Sequence, residues 1–267
     1  MRMATYYQLL GVSAGASLTG IKHAFRKRAK EFHPDLVHDR ADALQRMQQL
    51  VAAYKTLIDE NQRADYDRLN AVVRDKDEFD YREFLRQRRN DPLSQSKLIF
   101  FDLLNNNGTD AVELYEDLIG NGWFDLSLHL DREDFMDCAF LLAEEYERRD
   151  ELIRSYRLLM KIVALETEKA YFRHFFAEVT DRLRVIVCSK MPGRVESRRI
   201  LGYLEELIAL NLSRQDTAQY LKKAAELHLA EQRAELALRY LNRGLQLDHR
   251  LGGAKRLRER IDAGLYG

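Results

Sequence analysis

His33 and Asp35 stand on either side of Pro34, and a histidine and a carboxylate so placed suggest a general base and the group that orients it. Base catalysis also needs a reacting partner. No nucleophile motif, glycine-rich phosphate loop or metal-spaced ligand set accompanies the pair. The other histidines (His23, His38, His129, His174, His228 and His249) are scattered through helices or their ends, and no two form a metal-ligand pair. Cys138 and Cys188 lie 50 residues apart, outside any Cys-x-x-Cys pair, which excludes a cysteine zinc site and gives no disulfide framework. Both sit among apolar residues, as small core side chains do. The residues thus point away from an enzyme, a metal site or a cofactor.

A second group is cationic. Lys22, Arg26 and Lys30 recur every fourth residue, with Lys27 beside them. Like charges at that spacing cost a helix roughly 0.2–0.5 kcal/mol a pair, so the row does nothing for the helix that carries it. It is either an ordinary solvated face or a positive patch for an acidic partner.

The elements that position these groups are legible. Leu18, Ile21, Phe25, Ala29 and Phe32 fall at helical spacing and predict a helix from Leu18 with one buried stripe. Pro34 cannot continue it and biases His33 away from helical geometry, so His33 and Asp35 belong to a loop just past the basic row. Leu44, Met47, Leu50, Val51, Tyr54, Leu57 and Ile58 predict the next helix. Two antiparallel helices joined across His33–Arg40 would bury these stripes against each other. Asn61–Leu69 reads as a short last helix, and Leu9, Leu10 and Tyr66 close the ends.

Five segments carry a family resemblance. They are Tyr6-Tyr7-Gln8-Leu9-Leu10-Gly11-Val12, Ile21 to Glu31, Phe32-His33-Pro34-Asp35, Ala53-Tyr54-Lys55-Thr56-Leu57 and Gln62-Arg63-Ala64-Asp65-Tyr66-Asp67. In this order and spacing, residues 1–70 resemble the J domain of DnaJ-type co-chaperones. The resemblance implies that His33-Pro34-Asp35 and the basic helix dock onto an ATP-bound DnaK-type chaperone, of the seventy-kilodalton heat-shock class, and accelerate its ATP hydrolysis. The implied binding residues are His33, Pro34, Asp35, Lys22, Phe25, Arg26 and Lys27. On this reading Lys22, Arg26 and Lys27 steer the encounter, Asp35 pairs with an arginine of the partner, and Pro34 stiffens the loop so that docking orders little. The chain departs from the family in four places. Phe25 stands where tyrosine is frequent, Leu36-Val37 follow the tripeptide, Met47 replaces a core phenylalanine, and Gly20 occupies the first helical turn. The Gly/Phe-rich region and the cysteine-repeat zinc module of the long classes are missing, so their client-binding domains are not carried over.

The remainder reads as helical. Among 267 residues there are only three prolines, and Leu, Ala, Glu, Arg and Lys abound. Residues 71–93 are densely charged and read as a linker helix. Lys97–Leu104 predicts a short apolar helix ended by Asn105-Asn106-Asn107-Gly108, and Thr109 or Asp110 caps the next, which runs to Gly120-Asn121-Gly122. Trp123 and Phe124 then anchor the core. Within residues 94–267 two helix pairs resemble degenerate tetratricopeptide repeats. Ala139, Leu142, Ala143 and Tyr146 precede Ser155, Leu159 and Ile162. Leu221, Ala224, Ala225 and His228 precede Ala237, Leu241 and Gly244. Ala143 and Ala225 are 82 residues apart, no multiple of the 34-residue period, so the array is irregular, and an unrelated helical bundle is the alternative.

Charge is balanced overall, 43 basic against 43 acidic residues, yet residues 110–170 carry 7 basic against 16 acidic and residues 1–70 carry 11 against 8. The acidic middle implies contacts between segments, a sign-selective surface or plain solvated faces, and one such contact would be a cover over the basic helix that acts as an internal brake. The basic end Lys255–Arg260 lacks the interleaved aromatics of a nucleic-acid site and suits a helix capping a stack. No apolar run reaches the roughly 18–20 residues that span a bilayer, and no signal-peptide pattern opens the chain; the expectation is a soluble cytoplasmic protein. The chain is thus expected to be all-α, a J-domain hairpin followed by a tetratricopeptide-like array that binds a client or partner. The competing reading is a helical adaptor that tethers a chaperone with little ATPase stimulation.

Overall fold

Helix boundaries follow from local chemistry at most ends. In the computed structural model, which describes residues 5–31, 40–69, 81–120, 122, 124–170 and 173–266, α1 (Tyr6–Leu10) opens on a reciprocal cap. The Thr5 side chain accepts from the Gln8 amide while the Gln8 side chain accepts from the Thr5 amide. Gly11, at φ 74, closes it in the left-handed region. Ser17 caps α2 (Leu18–Glu31) by accepting from Gly20 N at 3.0 Å. After α3 (Arg40–Ile58), Asp59 accepts from the amides of Asn61 and Gln62 at the start of α4 (Glu60–Leu69). Leu10, Ile21, Leu50, Ala53 and Leu57 form the shared core. Tyr66 stacks on Tyr6 at 4.5 Å and closes one end, as its place in the sequence suggests. His33, Pro34 and Asp35 lie outside the described residues, as does Trp123.

The next helices are α5 (Tyr81–Arg86), α6 (Pro92–Leu104), α7 (Gly108–Gly120) and α8 (Arg132–Arg148), with a single tight turn at Leu126–Leu128. Leu85 of α5 is buried, and Arg82 bridges Asp102 of α6 at 2.6 Å and Asp110 of α7 at 2.5 Å. Helix α6 starts five residues before the expected Lys97, because Asp91 accepts from Ser94 N and Pro92 fills the first turn, where its missing N–H costs nothing. Helix α7 starts at Gly108, ahead of Thr109. The Glu145 carboxylate of α8 lies over that glycine, in the space a Cβ would take.

Two compact units result, Met1–Glu151 and Leu152–Gly267. The second holds α9 (Leu152–Glu168), α10 (Arg173–Val185), α11 (Ser197–Leu210), α12 (Arg214–Ala230), α13 (Ala234–Leu247) and α14 (Ala254–Tyr266). The end of α10 widens over Ile186–Lys190, with Met191 N donating to Ile186 O at 2.9 Å, just before Pro192. Helices α12 and α13 pack most closely where side chains are smallest: Gly244 faces Ala218 and Leu221, and Ala218, Ala225 and Ala237 are fully buried. Every regular element among the described residues is helical, apart from one isolated bridge between Pro192 and Val195. The protein is all-α, an N-terminal helical hairpin followed by a repeating, tetratricopeptide-like array.

The 82-residue offset proves finer than the small residues indicate. Helices α8 and α12 are both 17 residues long and begin at Arg132 and Arg214. Asp131 caps the Asp134 amide, and Ser213 caps the Asp216 amide. The helices end alike too. Glu151 N donates to Tyr146 O at 2.8 Å and Arg233 N to His228 O at 2.9 Å, across Asp150 at φ 63 and Gln232 at φ 60. The two stretches are copies of one local design despite divergent side chains.

Candidate functional site

The basic helix α2 has three working faces. Ile21 and Ala24 point into the hairpin core, and the Phe25 ring, half-buried, stacks on Tyr54 of α3 at 4.2 Å. Lys22 is exposed. The third face, made by Gly20, His23, Arg26 and Lys27, meets α6 and α8. Arg26 reaches Asp137 at 3.2 Å and Lys27 reaches Asp134 at 3.1 Å. The other oxygen of the Asp137 carboxylate lies against His23 Nδ1. The His23 ring stands edge-on to Phe100 at 5.1 Å.

Burial makes this seam more than a surface pairing. The Asp137 side chain is only 7 % exposed and that of His23 8 %, whereas Lys27 is 53 % exposed. A buried carboxylate is costly unless its oxygens are matched by donors or cations, and Arg26 answers one oxygen of Asp137 while the other is packed against the His23 ring. The main chain contributes as well: Leu104 O at the end of α6 accepts from Ser17 N at 3.1 Å and from the Ser17 hydroxyl at 3.3 Å. Ser13 meets Asn105. A Cβ on Gly20 would overlap the Leu104 carbonyl. The weak helix former in the first turn of α2 is therefore the residue that admits the α6 terminus.

Lys22, Phe25, Arg26 and Lys27 thus share one helix, as expected, but in different surroundings: exposed, stacked in the hairpin, and paired to α8. His33, Pro34 and Asp35 are not among the described residues. The sequence reading passed over His23, Asp134 and Asp137. The only signals pointing to them were the acidic excess of residues 110–170 and the misplaced Gly20. At the far end of the hairpin, the Tyr7 hydroxyl donates to Asp67 at 2.7 Å and accepts from Arg63 at 3.0 Å. Its burial, and then the Asp67 carboxylate, push its pKa up.

Comparison with known proteins identifies this hairpin. The family model for the DnaJ domain matches residues 5–67. The chain carries an N-terminal J domain. It is 41% identical over 85 residues to the chaperone protein DnaJ of Hydrogenobacter thermophilus, 50% over 68 residues to that of Paramagnetospirillum magneticum and 48% over 69 residues to that of Rickettsia massiliae. These matches cover 32%, 26% and 26% of this chain but only 23%, 18% and 18% of the relatives. The chain therefore spans about a fifth of the length of the curated relatives it matches. No solved structure matches it significantly.

Among the described residues no three His, Cys, Asp or Glu side chains group to hold a metal ion. No described helix is long and apolar enough to cross a membrane. Burial raises the Cys138 thiol well above its ordinary value and the Cys188 thiol, which is partly exposed, to about 12, and both shifts disfavour the thiolate.

Proposed function

We propose that this chain is a co-chaperone whose J domain binds an ATP-bound chaperone of the DnaK type and stimulates that partner's ATP hydrolysis. The observation that carries this reading is the match of residues 5–67 to the DnaJ domain, together with the His33-Pro34-Asp35 tripeptide next to a basic helix. Residues 1–70 form the docking module, 71–93 connect it, and the helical region 94–267 binds a client or partner protein. The chain performs no bond-making step of its own. Docking of Lys22, Arg26, Lys27 and the tripeptide favours the hydrolysis-competent state of the partner, and the shift is limited by the differential affinity for its two states.

The test is single-turnover ATP hydrolysis by a DnaK-type chaperone with catalytic amounts of the full chain. Wild type raises the rate, and His33→Gln abolishes the increase with the helical circular dichroism unchanged. No increase with wild type, or an equal increase with the variant, refutes the assignment. The adaptor reading, in which the J domain only tethers the chaperone, draws support from one observation. Arg26 and Lys27 already face carboxylates of α8, which weakens their attraction for an acidic partner. Chaperone binding without acceleration by any variant would select it.

A further inference from the structure

We infer that helices α6 and α8 hold the J domain in a closed, self-inhibited arrangement, with Asp134 and Asp137 occupying the cations of α2 that an acidic partner surface would engage. This inference rests on the co-chaperone reading and specifies its regulation.

Four independent features of the seam support it. Two of the implied steering residues, Arg26 and Lys27, end on carboxylates of the same chain, 111 and 107 residues further on. Both carboxylates project from one helix one turn apart, so a single element covers both cations. Asp137 is buried against His23 as well as Arg26, which makes it part of a packed interface. The fit is shaped in the backbone too, because Gly20 removes the Cβ that would collide with Leu104. Glycine is a poorer helix former than alanine, so its presence in the first turn of α2 favours closure over helix stability. A chaperone offering acidic groups to Arg26 and Lys27 therefore competes with Asp134 and Asp137 for the same guanidinium and ammonium groups. Lys22 remains exposed for the first encounter. Whatever stabilises the open arrangement raises activity, since apparent affinity scales with the fraction of competent molecules.

The test uses the full chain and two independent ways of opening the seam. Asp134→Asn with Asp137→Asn removes the charges at nearly constant shape. Gly20→Ala pries α6 away while improving the helix propensity of α2. Each is expected to lower the concentration for half-maximal ATPase stimulation by about fivefold or more, the usual lower range of coupling between two states, and to speed amide exchange in α2 and at the end of α6. A Ser13→Cys, Asn105→Cys pair joins side chains that already meet. Its oxidised form should lose stimulation and regain it on reduction. If wild type stimulates, His33→Gln does not, and both opened variants match wild type, the closed-state inference fails while the co-chaperone assignment stands. If no variant stimulates, the assignment fails, and unchanged amide exchange in both opened variants overturns the seam itself. Opened variants that exchange faster and stimulate more uphold both.

Discussion

The two copies of the local design place an acidic residue at the same point of their first helix and use it differently. Asp134 of α8 pairs with Lys27 at 3.1 Å, and Asp216 of α12 pairs with Arg184 at 3.0 Å. In the second unit the cation comes from α10, an ordinary member of the array. In the first it comes from the J domain. One turn on, the first copy has the buried Asp137, whereas the second has the neutral, half-buried Gln219. The difference teaches that α2 of the J domain occupies a contact that another array helix makes elsewhere. The J domain is built into the first unit as one of its layers.

The strongest challenge to treating the copies as equivalent lies in their cores. Leu159 of α9 and Leu241 of α13 are both fully buried. Leu159→Ala and Leu241→Ala are each expected to cost about 2–5 kcal/mol of stability, from lost transfer free energy plus a residual cavity, measured by urea denaturation. A small loss at one site alone would mean that its helix pair repacks, and the likeness would then end at the backbone.

The caps allow a finer comparison. Asp131→Ala and Ser213→Ala each strand a first-turn amide and should cost about 1 kcal/mol, read as matching shifts in the urea midpoint. Unequal shifts would show that Asp131 also contributes through its charge at the helix start.

The smallest effect concerns the last buried position of each first helix, Tyr146 and its counterpart His228. Burial pushes the His228 imidazole below its ordinary value of 6.5, Arg233 adds to this and Glu205 opposes it, while the Tyr240 ring lies against it at 4.9 Å. The unfolded chain therefore takes up the proton more readily than the folded one. The stability contributed by neutral His228 is present above pH 6.5 and is lost as pH falls below it toward the lowered folded value. His228→Tyr, which installs the residue type of position 146, should flatten the dependence of the urea midpoint on pH below 6.5. An unchanged slope would assign the acid sensitivity to other groups.

Much of the hairpin is legible because its signals are local. The three/four spacing through Ile21 and Phe25 and through Leu50, Tyr54 and Leu57 leads to the core that forms. Small residues at Ala225 and Gly244 mark a close helix crossing correctly. The start of α6 is misplaced because Ser94, Gln95 and Ser96 read as a polar lead-in. All three are buried, with Gln95 donating to the carbonyls of Leu85 and Arg88 and the Ser96 hydroxyl bonding back to Pro92 O. The seam between α2 and α8 is legible only as a meeting of segments, the acidic 110–170 stretch over the basic helix, and not residue by residue. Asp134 and Asp137 belong to an amphipathic helix whose own periodicity explains them, and no period links residues more than a hundred positions apart. Charge totals and one odd glycine hint that the acidic segment touches something, but only the fold says which residues meet.

Arg82 has a consequence for how quickly the molecule can respond. By gripping Asp102 and Asp110 together, it moors the strand of chain arriving from the J domain directly beside the surface that α2 covers. Only residues 70–80 separate the end of α4 from this mooring. On the closed-state inference, a released J domain stays covalently close, at a local concentration on the order of millimolar, and its return does not depend on how dilute the protein is. On the same inference, a visiting chaperone would meet that competitor on every approach, and sensitivity to partner abundance would follow from eleven residues of chain and the grip of one guanidinium.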